Sequence, residues 1–238
     1  MASREISYKN SKFDINYEIL NPQKDRSIII LHGWGSNKEI MRGAFSKVLG
    51  EFKHIYIDMP GFGKSNNDMI LETKDYANIL DLFLKDLNIK KDIIFGHSFG
   101  GKVATLLNPD TLVLLSTSGI LVPKSFNVRA KIALFKLLKP FGFLNIRRFF
   151  ASSDVAGMSQ VMYETFKNVV NEDFEDSFSN FKNQALIFWG RDDTATPLYT
   201  GEKISTIIEN SKFYPLDGDH YFFTKHSTFI DKELNANL

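Results

Sequence analysis

The sequence predicts an α/β protein built on a mostly parallel, doubly wound sheet, and three observations carry that prediction. Short runs that are apolar throughout, such as Ile28-Ile29-Ile30-Leu31, have the character of strands buried on both faces. These runs alternate with segments of helical periodicity, the order expected of successive βαβ units. The chain has 238 residues, 43% of them hydrophobic, which suffices for one domain with a sizeable core and an insertion.

Residues 4–9 and 12–19 alternate, with Ile6, Tyr8, Phe13, Ile15 and Tyr17 as the apolar positions, and predict two antiparallel strands joined near Asn10-Ser11. A buried strand follows at 27–32, then a helix at 38–49 and a second buried strand at 52–58. Residues 72–87 place Tyr76, Ile79, Leu80, Phe83, Leu84 and Leu87 at helical spacing. A strand at 92–95, a short helix at about 99–107 and a strand at 111–116 come next, the last after the break at Asn108-Pro109. Alternation resumes with a strand at 184–190, a helix at about 198–209, a strand at 211–216 and a final helix at about 221–235. The core therefore comprises 1–118 and 184–238, and 119–183 reads as helical pieces inserted after the sixth strand. Residues 119–150 carry seven basic residues and no acidic one, whereas 151–180 carry six acidic residues and Lys167, so the two halves can neutralise one another.

Charge and composition exclude several functions. Lys and Arg number 29 against 28 Asp and Glu, a net charge of +1 that offers no overall field for nucleic acid. With no cysteine, disulfides, thiolate metal sites and a cysteine nucleophile are excluded. The opening MASREISYKN has no apolar stretch of the signal-peptide kind, so a cytoplasmic protein is expected. The greasiest region, near 130–145, is broken by Lys136, Lys139 and Pro140, and no membrane span or membrane contact is expected.

In an open parallel sheet ligands bind beyond the carboxyl ends of the strands, and unusual loops stand at those ends here. Gly96-His97-Ser98-Phe99-Gly100 follows an apolar strand and opens a helix, the pattern of a nucleophile elbow that holds a serine hydroxyl clear of the sheet. A serine needs a base, and His220, in Asp217-Gly218-Asp219-His220 after the strand at 211–216, is the histidine placed to serve. The carboxylate that orients it should come from Gly190-Arg191-Asp192-Asp193, where two aspartates compete. An attacked carbonyl also needs oxyanion donors. The amide of Phe99, at the helix start, and that of Trp34, within His32-Gly33-Trp34-Gly35, are the candidates. The segment Asp58-Met-Pro-Gly-Phe-Gly-Lys-Ser65 invites a phosphate-binding reading, but Asp58 occupies the position where a P-loop requires glycine.

Taken together, HGWG at 32–35, DMPGFGKS at 58–65, GHSFGG at 96–101, WGRDDTATP at 189–197 and DGDH at 217–220 resemble the α/β-hydrolase fold superfamily, in its small bacterial serine-hydrolase form with a helical lid after the sixth strand. The resemblance covers nearly the whole chain. It implies Ser98 as nucleophile, Asp193 as acid with Asp192 as the fallback, His220 as base, and Trp34 and Phe99 as oxyanion donors, in the superfamily's chain order Ser, Asp, His. It also implies a lid at 119–183. Two departures stand out: the stretch from Ser98 to the next strand is short for the family, and Asp219 stands where glycine or alanine is frequent before the base.

The activity so implied is hydrolysis of carboxylic esters through an acyl-enzyme, with a small molecule as substrate and no metal or organic cofactor. Phe126, Phe135, Leu138, Phe141, Phe143, Phe149 and Phe150 predict a largely apolar pocket wall. Relatives with the same triad cleave carbon–carbon bonds, amides or lactones, and some hold a ligand as receptors, so those readings stay open at this stage. The sequence leaves oligomeric state open.

Overall fold

The computed structural model describes residues 2–122 and 158–238. Its centre is an eight-stranded sheet in the order β1-β2-β4-β3-β5-β6-β7-β8. Strands β1 (Ala2–Tyr8) and β2 (Ser11–Leu20) form the expected hairpin, with Ile6 opposite Phe13. Its turn uses Lys9 and Asn10, both at positive φ (47° and 35°), which matches the twist of paired strands. Strands β3 (Ser27–Leu31), β4 (Lys53–Ile57), β5 (Ile93–His97), β6 (Thr111–Leu115), β7 (Gln184–Gly190) and β8 (Ser211–Leu216) pair with one another in parallel, and β4 also takes β2 antiparallel on its other edge.

The continuous apolar runs work because side chains alternate between two buried faces. Ile29 and Leu31 enter one core layer, with Tyr76 and Phe83 of α2 (Thr73–Asp86), Val103 and Leu107 of α3 (Phe99–Leu107), and Ile204 of α6 (Leu198–Ile207). Ile28 and Ile30 enter the other, with Met41 and Phe45 of α1 (Lys38–Phe45) and Ile230 and Leu234 of α7 (Phe223–Asn235). The sheet is therefore covered on both sides, as predicted. Within 158–183 two helices are described, α4 (Gln160–Val170) and α5 (Glu175–Asn180). Residues 123–157 of the expected lid, including the apolar wall residues 126–150 and the basic run 124–148, lie outside the described residues.

Several element ends differ from the prediction for local reasons. Helix α1 stops at Phe45 instead of 49, since Leu49 has a φ of 59° that no helix accommodates. Strand β5 continues to His97, which pairs with Leu115. Helix α7 begins at Phe223 because Asp219 organises a turn first, its carboxylate accepting from the Tyr221 amide at 2.8 Å and its carbonyl from Phe222 at 3.0 Å. Asp219 is exposed and so committed to that turn.

The Asp58 loop closes on itself. The Asp58 carboxylate accepts from the Lys38 amide at 2.8 Å, the Lys38 ammonium at 2.7 Å and the Lys64 amide at 3.0 Å. Lys38 and Asp58 are each 1% exposed. The Gly-Lys-Ser run thus wraps a carboxylate of its own chain.

Candidate active site

Ser98 joins β5 to α3 with φ 50° and ψ −116°, a conformation that costs a non-glycine residue about 1–3 kcal/mol. Its neighbours permit it. A Cβ on Gly96 would stand 2.4 Å from the Gly101 Cα, and one on Gly100 would stand 2.5 Å from the His32 carbonyl oxygen, so side chains at either position would open the turn. The backbone is held on both sides: the Ser98 amide donates to Leu115 at 3.1 Å, and its carbonyl accepts from Gly101 at 3.0 Å and Ser118 at 3.2 Å. A sharp strand-to-helix turn with a half-buried serine at its tip is the result.

The loops after β7 and β8 meet beside it. Asp193 Oδ2 lies 2.7 Å from His220 Nδ1. Asp193 is 5% exposed while Asp192 is open to solvent, so the two aspartates are sorted by burial, and only Asp193 reaches the histidine. Its Oδ1 accepts from the amides of Ala195 (2.8 Å) and Thr196 (2.9 Å), and the Thr196 hydroxyl lies 2.7 Å from Oδ2. Burial pushes the Asp193 carboxyl up, but the hydrogen bonds from His220 and Thr196 outweigh it and hold the pKa down at about 2. The two loops are also joined by their backbones, Arg191 donating to Leu216 at 2.8 Å and Asp192 to Gly218 at 2.9 Å.

The loop after β3 brings Gly33 against the elbow: a Cβ there would lie 3.1 Å from the Ser98 Cβ. The chain turns through Trp34-Gly35, closed by Ser36 donating to the Gly33 carbonyl at 3.2 Å, with Gly35 at φ 71°. His32 pins the base of this turn. Its Nδ1 lies 2.8 Å from the Gly33 oxygen, its Nε2 accepts from the Met59 amide at 3.1 Å, and burial pushes its pKa down to about 4, keeping it neutral. The Trp34 ring packs against Phe62 (centroids 4.8 Å apart), Phe99 (5.5 Å) and Phe166 of α4 (5.3 Å), an aromatic surface beside the elbow. Phe99, as the first residue of α3, presents an amide that has no partner within the helix.

The sequence reading passed over three groups. Thr196 fixes Asp193, and the Asp-x-x-Thr spacing is its signal. His97 bonds the base loop, with no signal in the sequence beyond its place in the elbow. Lys102, 2% exposed in α3, donates to the Val169 carbonyl at 2.6 Å and to Glu172 at 2.9 Å, tying the end of α4 to the elbow helix. A separate cleft of about 350 Å³, lined by Lys91, Asp92, Asn108 and Asp110 among others, lies at the opposite ends of the strands, away from these loops. Among the described residues, no three His, Asp or Glu side chains are grouped to hold a metal ion.

A sheet of this order, an elbow at the end of β5 and an Asp–His pair on the loops after β7 and β8 define an α/β-hydrolase architecture. Comparison with known proteins agrees with this fold, and the chain is similar to hydrolases built on it. A family model described as alpha/beta hydrolase fold matches residues 26–110. An uncharacterized hydrolase of Bacillus subtilis, YugF, is 22% identical over 85% of this chain and 86% of its own length. A pimeloyl-[acyl-carrier protein] methyl ester esterase of Proteus mirabilis is 31% identical over 38% of this chain, but the match spans only 34% of that enzyme. Among solved structures, an esterase from Exiguobacterium antarcticum superposes with a TM-score of 0.76 over 99% of both chains at 20% identity. Est816, an N-acyl homoserine lactone degrading enzyme, gives 0.74 over 99% of this chain and 100% of its own at 16% identity. At these identities the structural likeness establishes the fold.

Proposed function

We propose that the protein is a serine hydrolase that cleaves carboxylic esters of small, largely apolar molecules. The observation that carries this reading is the Asp193–His220 hydrogen bond of 2.7 Å on loops adjoining a serine held at an elbow. Ser98 attacks the ester carbonyl, His220 takes its proton and returns it to the departing alcohol, and water then repeats the sequence to release the acid. Asp193 occupies Nδ1, which fixes the tautomer that leaves Nε2 to handle the proton and stabilises the imidazolium. The amides of Trp34 and Phe99 receive the developing oxyanion, aided by the positive end of α3.

The aromatic surface of Trp34, Phe62, Phe99 and Phe166 supports an apolar acyl or aryl group in the substrate. The partial similarity to a methyl ester esterase supports an ester as the bond cleaved. In this reading 119–183 is the lid that selects substrates, and neither metal nor organic cofactor takes part. The test is turnover of p-nitrophenyl esters of graded chain length by wild type and Ser98→Ala. Turnover by the wild type alone is the expected result; equal rates in both would contradict the assignment.

A further inference from the structure

Elbow geometry requires small residues on either side of the serine and leaves the residue between Gly96 and Ser98 unconstrained. Here that residue is a histidine with 1% exposure whose ring is held from several sides. His97 Nε2 lies 3.0 Å from the carbonyl oxygen of His220. A carbonyl only accepts, so Nε2 carries the hydrogen and the ring is the neutral Nε2–H tautomer. Nδ1 is buried, has no partner among the described residues and faces Gly33, where a Cβ would come within 2.9 Å of it. The ring also stands 4.6 Å from the His220 ring, 4.8 Å from Phe223 and 5.2 Å from Tyr221.

We propose that His97 is a positioning residue that ties the main chain of the base, His220, to the nucleophile, Ser98; this inference rests on the serine-hydrolase reading above. Asp193 orients the His220 imidazole through Nδ1, and the backbone beneath it is held by other groups: His226 Nε2 lies 2.8 Å from the Asp217 carbonyl oxygen, and Phe222 donates to the Asp219 carbonyl at 3.0 Å. The loop 217–220 is joined to the acid loop by Asp192, which donates to the Gly218 carbonyl at 2.9 Å. His97 supplies the tie on the nucleophile side, from a residue covalently joined to Ser98, and its contact with Gly33 carries the same fixing to the proposed oxyanion loop. Base, nucleophile and oxyanion donors are thereby held relative to one ring.

The experiment compares wild type with His97→Gln, which keeps a side-chain N–H at similar reach, and His97→Leu, which removes the donor at modest cost in volume. With a p-nitrophenyl ester, His97→Leu is expected to lower kcat roughly 10- to 100-fold with KM within about twofold, the signature of a displaced catalytic group. His97→Gln is expected to recover most of kcat. Amide hydrogen exchange at residues 219–222 is expected to quicken in His97→Leu and not in His97→Gln. Wild-type kcat in folded His97→Leu, or equal losses in both variants with unchanged exchange at 219–222, would overturn the proposal. Should His97→Leu fail to fold, His97→Asn, whose donor falls short of the His220 oxygen, takes its place with the same expectations. A wild type that neither turns over esters nor reacts with a fluorophosphonate contradicts the hydrolase reading. Exchange at 219–222 then decides the tether by itself, faster without the donor if it exists and unchanged if it does not.

Discussion

Two adjacent aspartates with opposite environments show how single residues decide the chemistry. Asp193 is buried, accepts hydrogen bonds from Ala195 and Thr196 and reaches His220; Asp192 faces solvent. Asp193→Asn is therefore expected to reduce kcat by roughly 10³–10⁴, and Asp192→Asn to change it less than about threefold, in ester-hydrolysis assays. The reverse ranking would reassign the acid. The loop that meets His220 was legible in the sequence, because a base proposed after β8 calls for a carboxylate on a neighbouring strand end. Which of the two aspartates turns inward was not fixed by the residues alone, since it depends on hydrogen bonds that form only when Thr196 folds back. His97 was illegible for a similar reason: its partner is a backbone carbonyl 123 residues away.

At the scale of elements, the strands were read almost to the residue because buried parallel strands leave continuous apolar runs, and α3 was read at 99–107 because glycines and Asn108 bracket it. Asn108 ends the helix in the left-handed region, with φ 52° and ψ 63°. Helix ends set by local turns, as at Leu49 and Asp219, have no periodic signature and were misplaced by a few residues. The same loops explain why the Gly-Lys-Ser run is structural. Lys38, at the start of α1, and Asp58, after β4, form an ion pair shielded from water, and removing one partner leaves a buried charge. Lys38→Met is expected to lower stability by about 3–5 kcal/mol in urea unfolding, whereas Lys12→Met, at an exposed pair with Glu5, should cost less than about 1 kcal/mol. Equal losses would contradict the role given to the pair.

For the whole molecule, histidines buried in neutral form link stability to pH. Burial holds His32 at about 4, and burial together with the nearby His220 holds His97 at about 3, against about 6.5 in an unfolded chain. Because the folded values are depressed, their contribution is complete above about pH 6.5 and is lost as pH falls towards those values. Each group removes up to about 1.4 kcal/mol per pH unit over that range. Asp193 adds a further loss between about pH 4 and 2, where its bond to His220 is protonated away. Urea midpoints at pH 7, 6 and 5 should fall progressively; a constant midpoint would mean that the buried histidines take up protons without unfolding.

Residues 98, 193 and 220 stand at three separate strand ends, and in the proposed mechanism this arrangement makes Ser98 a nucleophile. Reaction with a fluorophosphonate, followed by intact mass and peptide mapping, tests that claim most directly. One adduct per chain is expected, located on Ser98 and lost in Ser98→Ala. An adduct on another residue, or a folded protein that takes up none, would contradict it.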